Sequence, residues 1–494
     1  MLISGLALGA VLGFVMQRGR FCVTGFLRDI FTQRSWRGFV ALLIVISVHA
    51  IGLAALTSAG VITPEYNELA PVAVIVGGVI FGLGIVLAGG CASGTWYRSG
   101  EGLIGSWIAL VFYALSAAAM KTGFLGGLQN SLKDRTVGLT SIHASLGISI
   151  WPLVIALSAV TAYFAVRFLR EEFSGPRPAT LAPRKSGLAH ILTEKAWHVY
   201  ATAAIVGVLG VIAWPLSAAT GRNDGLGITT PSSNLANYVV TGDTERFDWG
   251  VLLVLGILVG SFIAAKASGE FRLRVPDATQ GARSVVGGIF MGVGAAWAGG
   301  CTVGNGMVQT SLFSYQGWLA LASIAAGVAI AAKLWLKPSA PSLNDVPSTP
   351  STTNDTAVSA TAPVASAATS PVSLPGSDSA GAAGTEASPL AGSFAVAPVA
   401  LLDRSVVKQE DGKLKPLGDG RYELDTVGAV CPFPLIEAKD AINKIEVGEE
   451  LVIPFDCTQA TDAIPRWAAK DGHEVTNFEQ TGEAGWTISV RRGK

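Results

Sequence analysis

The sequence predicts an all-α multispan membrane protein of about nine helices, arranged as an inverted repeat, with a small two-layer α/β domain attached. Three observations predict it. Half of the 494 residues are hydrophobic and only 14% are charged, against about 25% charged in an ordinary soluble domain. Apolar runs long enough to cross a bilayer recur through residues 1–337. One glycine-rich segment appears twice at a fixed spacing, the mark of a duplicated architecture.

The apolar runs fall near 2–16, 38–61, 69–88, 102–120, 147–169, 197–218, 249–267, 284–300 and 316–335. The first starts at the initiator methionine without a basic leader or a small-residue cleavage site, so it is expected to stay as a span. Thirty-five basic and thirty-five acidic residues cancel, which removes the global positive signal of a nucleic-acid binder. The basic residues are nevertheless unevenly placed. Eighteen, from Arg18 to Lys337, fall in loops on one side, and five (Lys121, Lys133, Arg135, Arg222 and Arg246) on the other. Positive-inside bias then puts the N-terminus outside a bacterial-type inner membrane and the C-terminal domain in the cytoplasm.

After the membrane part, residues 338–400 are Ala, Ser, Thr, Pro and Gly with almost no aromatics. Such a stretch buries too little apolar surface to offset its ordering entropy, and reads as a disordered linker. From Leu401 to Lys494 the charge density becomes that of a soluble domain. A strand over 421–427, a helix to about 444 and a strand over 450–455 come first. A helix over about 460–470 and strands near 473–479 and 486–492 close it. A strand–helix–strand unit implies a parallel pair joined by a right-handed crossover. Cys431 and Cys457 then both lie at the carboxyl edge of that sheet.

The repeat pairs residues 78–94 with 288–304, eight identities in seventeen positions at an offset of 210. The two halves, about 1–146 and 197–337, are then related as in transporters whose sites lie at broken helices near the midplane. Glycines four apart, such as Gly78 and Gly82, fit close helix packing. Packing does not explain Gly-Gly-Cys at both repeats, because each glycine weakens a helix by about 1 kcal/mol. Gly90 and Gly300 therefore mark breaks that expose backbone beside Cys91 and Cys301. A third cysteine, Cys22, sits in Arg18-Gly-Arg-Phe-Cys-Val-Thr-Gly25, a segment compatible with a re-entrant piece.

Three thiols at glycine breaks admit three chemistries. They can bind a soft metal, although paired Cys spacing and a histidine pattern are missing and no metal or other cofactor is expected. They can carry out membrane thiol redox chemistry. They can recognise a soft sulfur anion, since a neutral thiol avoids a buried charge and helix N-termini supply partial positive charge.

The two Gly-Gly-Cys repeats, the Gly-Arg-Phe-Cys-Val-Thr-Gly segment and Arg98-Ser-Gly-Glu-Gly102 resemble the YeeE/YedE-like sulphur transporters across residues 1–337. The resemblance implies thiosulfate uptake, with Cys22, Cys91 and Cys301 relaying the ion through S–H···S contacts. Arg98 and Glu101 are candidate substrate residues or a salt-bridged loop, and Arg18 and Arg20 read as positive-inside anchors. Cys431-Pro-Phe-Pro434 resembles the TusA-like (YeeD-type) sulfur carriers over residues 421–492, which implies persulfide chemistry at Cys431. Pro432 is expected as the first helical residue, with the Cys431 sulfur at the helix N-terminus, where thiol pKa falls. Cys457 is either an assisting, resolving thiol or a small strand-end residue. The expected function is uptake of thiosulfate with sulfur passed to Cys431 and on to a cytoplasmic acceptor. The alternative is a membrane-anchored enzyme of thiol or selenium redox metabolism. No Walker motif is present to supply ATP drive.

Overall fold

A computed structural model of the chain describes residues 2–336 and 414–493. The linker expected over 338–400 lies outside these described residues. The first part is helical throughout: α1 (Ile3–Arg18), α2 (Val23–Thr32), α3 (Arg37–Ser58), α4 (Pro71–Leu87), α5 (Ala92–Gly100), α6 (Ile104–Lys121), α7 (Gly126–Lys133) and α8 (Ile142–Leu146). It continues with α9 (Trp151–Ser174), α10 (Gly187–Thr193), α11 (Val199–Ala218), α12 (Thr229–Thr241), α13 (Trp249–Ser268), α14 (Ala278–Ala298) and α15 (Tyr315–Trp335). Local chemistry sets the starts. The Asp248, Asp277 and Ser314 side chains accept from the backbone N–H groups of Val251, Gln280 and Gly317, satisfying donors that a helix start leaves open. Pro71 opens the first turn of α4 and Pro152 that of α9.

Every one of the nine expected runs is a helix. Among the described residues eight spans are long and apolar enough to cross a membrane, one fewer than expected. The one that falls short is α14, whose 21 residues are diluted by Arg283 and by glycine. Two of the eight spans, Ile3–Thr32 and Pro71–Gly100, are pairs of helices separated by a break.

Glycine sets how these helices meet. Gly84 of α4 lies against Gly287 and Met291 of α14, and Gly294 of α14 against Gly77 and Phe81 of α4. Outside that central pair, Gly78 and Gly82 press on Ser323, Ile324 and Gly327 of α15. Their counterparts Gly288 and Gly292 press on Ala109, Tyr113 and Ser116 of α6. The packing reading of these four glycines therefore holds, and the repeat is visible as a matched set of contacts. A second seam joins α1 to α13, where Gly9 and Gly13 abut Leu253 and Ile257, and Gly256 and Gly260 abut Leu6 and Ala10. Close backbone approach of this kind is how helices associate in a medium as apolar as their own side chains.

The C-terminal part is a five-stranded sheet in the order β1-β2-β3-β5-β4, from β1 (Leu414–Gly418), β2 (Arg421–Leu424), β3 (Glu450–Phe455), β4 (Glu474–Gly482) and β5 (Gly485–Arg491). β2 and β3 are parallel and the other pairs antiparallel. Two helices, α16 (Phe433–Ile442) and α17 (Ala460–Lys470), complete the second layer. Leu451, Ile453 and Phe455 of β3 and Trp486, Ile488 and Val490 of β5 alternate into one core with Leu435, Ala438, Ile464 and Trp467. The sequence reading missed β1. That strand is an exposed edge containing Lys415 and Pro416, with no apolar alternation to reveal it; a turn with Asp419 and Gly420 at positive φ folds it onto β2. α16 begins one residue later than expected, with Pro432 at its cap and Pro434 in its first turn.

Candidate functional site

Each membrane cysteine stands at a break in a helix. α4 ends at Leu87, and Gly89 follows with φ +71, a left-handed conformation open to glycine at little cost. Cys91 then caps α5, its Sγ accepting from Gly94 N–H at 3.3 Å and lying 3.5 Å from Ser93 Oγ. In the second repeat α14 ends at Ala298, Gly299 has φ +78, and Cys301 leads into a short π-helical segment, Gly304–Gln309. The left-handed residue is the first glycine of each pair, Gly89 and Gly299, directly before the Gly90 and Gly300 expected at the breaks. At the third break Arg20 takes φ +49, and Cys22 in extended conformation caps α2. Cys22, Cys91 and Cys301 are free thiols with at most 1% exposure.

The structure brings Cys22 and Cys91 together. Both border the bare Cα of Gly94, where a methyl group would lie 3.2 Å from the Cys91 sulfur and 3.5 Å from that of Cys22. Cys301 lies beside Tyr113 of α6, a fully buried side chain within electrostatic range of Cys91 as well. The Tyr113 hydroxyl donates to Thr229 Oγ1 at 2.8 Å. Tyr113 therefore stands near thiols of both repeats, and sequence reasoning missed it; a lone tyrosine in span 102–120 was the available signal.

Arg98 and Glu101 do not form the salt-bridged loop that was one reading of them. Arg98, 5% exposed, donates through Nη1 to the carbonyl of Gly89 and so fixes the first break. Glu101 is buried close to Arg274 and Arg98 without an ion pair to either. At the second break Asn305 does the work of Arg98. Its Nδ2 donates to Ala298 O at 2.8 Å and Gly300 O at 3.0 Å, and its Oδ1 accepts from Gln316 at 2.9 Å.

Arg18 also departs from expectation. It is 1% exposed and pairs with Glu270 at 3.1 Å, a carboxylate that also takes Gln17 at 2.6 Å and Arg20 at 3.2 Å. Burial pushes the Glu270 carboxyl up, but Arg20 and Arg18 outweigh it and hold the group below its ordinary range. An isolated buried arginine is too costly to keep, so this residue is a structural pillar and not a surface anchor.

In the C-terminal domain Cys431 and Cys457 lie at the ends of the adjacent parallel strands β2 and β3, as the topology required. They are joined as a disulfide, with Cα atoms 6.1 Å apart. Asp456 Oδ1 accepts from Gly428 N–H at 3.0 Å and Thr426 bonds to Pro454 O, tying the Cys431 loop to the end of β3. The domain rests on the helical part through Arg466–Glu172 at 2.8 Å, Ala484 N–H to Gly269 O at 3.0 Å, Arg20 to Thr461 and Arg274 to Asp456 O. A cavity of about 1440 Å³ opens between them, and Cys22, Cys431 and Cys457 all line it. Val430 meanwhile stands over Gly89 of the first break.

Comparison with known proteins bears on both parts. A family profile described as Sulphur transport matches residues 18–330, and one described as Sulfurtransferase TusA matches residues 422–492. Over 328 residues, 66% of this chain and 93% of the relative, the sequence is 51% identical to the thiosulfate transporter TsuA of Escherichia coli. It is 32% identical over 337 residues to the TsuA of Spirochaeta thermophila, covering 65% of this chain and 94% of that protein. The last part is 59% identical over 70 residues, 14% of this chain and 93% of the relative, to the putative sulfur carrier protein TsuB of Escherichia coli.

Proposed function

Since the chain belongs to the Sulphur transport family and ends in a TusA sulfurtransferase domain, we propose that it imports thiosulfate and passes sulfur to its own C-terminal domain. Residues 1–337 are the permease of this multipass membrane protein, 338–400 the tether and 401–494 the acceptor domain. The ion passes from Cys301 by way of Tyr113 to Cys91 and Cys22, enters the cavity, and meets Cys431. The N-terminus is outside an inner membrane and the acceptor domain cytoplasmic.

The observation that carries the proposal is the position of the thiols. Three buried sulfhydryls stand at three helix breaks, and the last of them, Cys22, lines the same cavity as Cys431. A dianion in the low dielectric of a membrane needs compensation. Here it comes from the buried Arg98 and from backbone N–H groups at the starts of α2 and α5. A thiol donates only weakly to a sulfur acceptor, so no stop along the path binds tightly enough to hold the ion, which conduction requires. At the exit, Cys431 takes up sulfur and keeps free thiosulfate low inside, favouring inward flow.

Uptake of labelled thiosulfate by cells or proteoliposomes containing the full chain tests the relay. Replacement of Cys22, Cys91 and Cys301 together with Ala is expected to abolish uptake while the protein still inserts. Full uptake by that variant overturns the proposal. The Cys431→Ser chain is expected to keep measurable uptake into proteoliposomes but to slow growth on thiosulfate as sole sulfur source.

A further inference from the structure

The two cysteines of the C-terminal domain both line the cavity but differ in exposure. Cys431 is half-buried, faces the cavity, and begins the turn into the ten-residue helix α16. Cys457 is 4% exposed and sits at the end of β3 with its carbonyl accepting from Ala460. The two sulfurs are nevertheless within bonding reach, and the Asp456–Gly428 hydrogen bond fixes the loop that brings them there. A protein that only carries sulfur needs a persulfide that lasts until an acceptor arrives. A second thiol at bonding distance from the first makes such a persulfide short-lived.

We propose that Cys457 resolves the persulfide formed on Cys431, so that the domain reduces the sulfane sulfur of thiosulfate to sulfide instead of only handing it on. The proposal rests on the reading that Cys431 accepts sulfur from thiosulfate. In the first step the Cys431 thiolate attacks the sulfane sulfur. The bond between the two sulfurs of thiosulfate breaks, sulfite leaves with the electron pair, and Cys431 holds one extra sulfur. In the second step the Cys457 sulfur attacks Cys431 Sγ, breaking its bond to the outer sulfur. That sulfur departs as sulfide with the proton that Cys457 gives up, and the Cys431–Cys457 disulfide remains. Two thiols are oxidised to one disulfide, and one sulfane sulfur is reduced to sulfide. Two thiols and one thiosulfate thus give one disulfide, one sulfite and one hydrogen sulfide. The cycle closes when a cytoplasmic dithiol, or two molecules of a glutathione-type thiol, reduce the disulfide by exchange. Cys431 is the sulfur such a reductant meets first, because it is the more exposed of the two. The disulfide in the structure is the end state of this sequence.

The test uses the purified full chain, reduced, freed of reductant and exposed to thiosulfate. Sulfite, sulfide and the mass of the Cys431 and Cys457 peptides are followed in time. The wild type is expected to release one sulfite and one sulfide per chain. A one-sulfur adduct on Cys431 should appear first and give way to the disulfide. Cys457→Ser is expected to release sulfite as before, lose the sulfide, and stall with the adduct on Cys431; its sulfite burst also reports that the domain is folded. Sulfide release from Cys457→Ser equal to that of the wild type overturns the proposal. So does a wild-type chain that keeps the adduct and yields no sulfide, a result that needs no variant to fold. A wild-type chain that releases no sulfite overturns the underlying reading of Cys431 and this proposal with it.

Discussion

At Gly89-Gly90-Cys91 and at Gly299-Gly300-Cys301 the same three residues interrupt a helix, with the same left-handed first glycine. What closes the two interruptions is different. A buried guanidinium, Arg98, holds the carbonyl of Gly89, whereas a neutral amide, Asn305, holds those of Ala298 and Gly300. The covalent pattern and backbone device are duplicated; the charge is not. Arg98 and Asn305 do not even occupy equivalent positions, since the 210-residue offset pairs Arg98 with Val308 and Asn305 with Thr95. A two-fold scaffold has been given a polarity by side chains that lie outside the repeated motif. On the proposed orientation, the cationic break is the one next to Cys22 and the exit, so the asymmetry draws an anion inward.

The sharpest way to break this comparison is to neutralise the first closure and remove the second. Arg98→Gln is expected to lower thiosulfate uptake about tenfold or more, an effect of about 1.4 kcal/mol at the barrier, with little loss of folded protein. Asn305→Ala removes the donor from two buried carbonyls, which costs about 1–3 kcal/mol, so its main expected effect is a lower Tm. Uptake per folded molecule should fall less than in Arg98→Gln. Transport assays on purified, quantified protein check both, and equal losses of uptake would remove the argument for polarity.

A smaller difference is expected at the glycines. Both first glycines are left-handed, so alanine strains either by about 1–2 kcal/mol. At Gly299 the added methyl also meets Gln316 Nε2 at 2.6 Å, whereas at Gly89 it meets only Val430 Cγ1 at 3.1 Å. Gly299→Ala should therefore be the less stable of the two in thermal unfolding, and Gly89→Ala should instead weaken the seat of the C-terminal domain.

The least change is expected from pH. Because the Glu270 carboxyl is held below its ordinary range, its pairing with Arg18 and Arg20 contributes fully above the unfolded value of about 4.3. That contribution is lost only as pH falls through the lower folded value. Stability from neutral pH down to about 5 should therefore carry no step from this pair, and Glu270→Gln should lower the neutral plateau itself. A stability titration between neutral and acidic pH, on wild type and variant, checks it.

Much of this was legible in the chain. Apolar runs marked all nine long helices among the described residues, because bilayer thickness fixes their length, and the Gly-Gly-Cys duplication pointed to the breaks. Pro454 within β3 and Pro434 within α16 did not obscure the C-terminal domain, whose parallel β2–β3 pair followed from the strand–helix–strand order. The closures were not legible. Asn305 sits in a glycine-rich stretch with no periodicity, and its π-helical turn has no local signature. Arg18 looked like a surface anchor because its partner Glu270 is 252 positions away, and Tyr113 gained meaning only when α6 met α14. Contacts that depend on which helix lies opposite are written in the fold, not in any window of sequence.

The seam between α1 and α13 has a consequence for how the protein is made. Ser4 receives its hydrogen bond from Trp249, 245 positions later in the chain. At a synthesis rate of roughly 5–20 residues per second, that partner emerges about 12 to 50 seconds after the first helix. Until then Gly5, Gly9 and Gly13 of α1 lack the α13 surface they abut in the folded protein. The α1–α13 seam can therefore close only after every helix between the two has been made, which sets a late step in the assembly of the helical part.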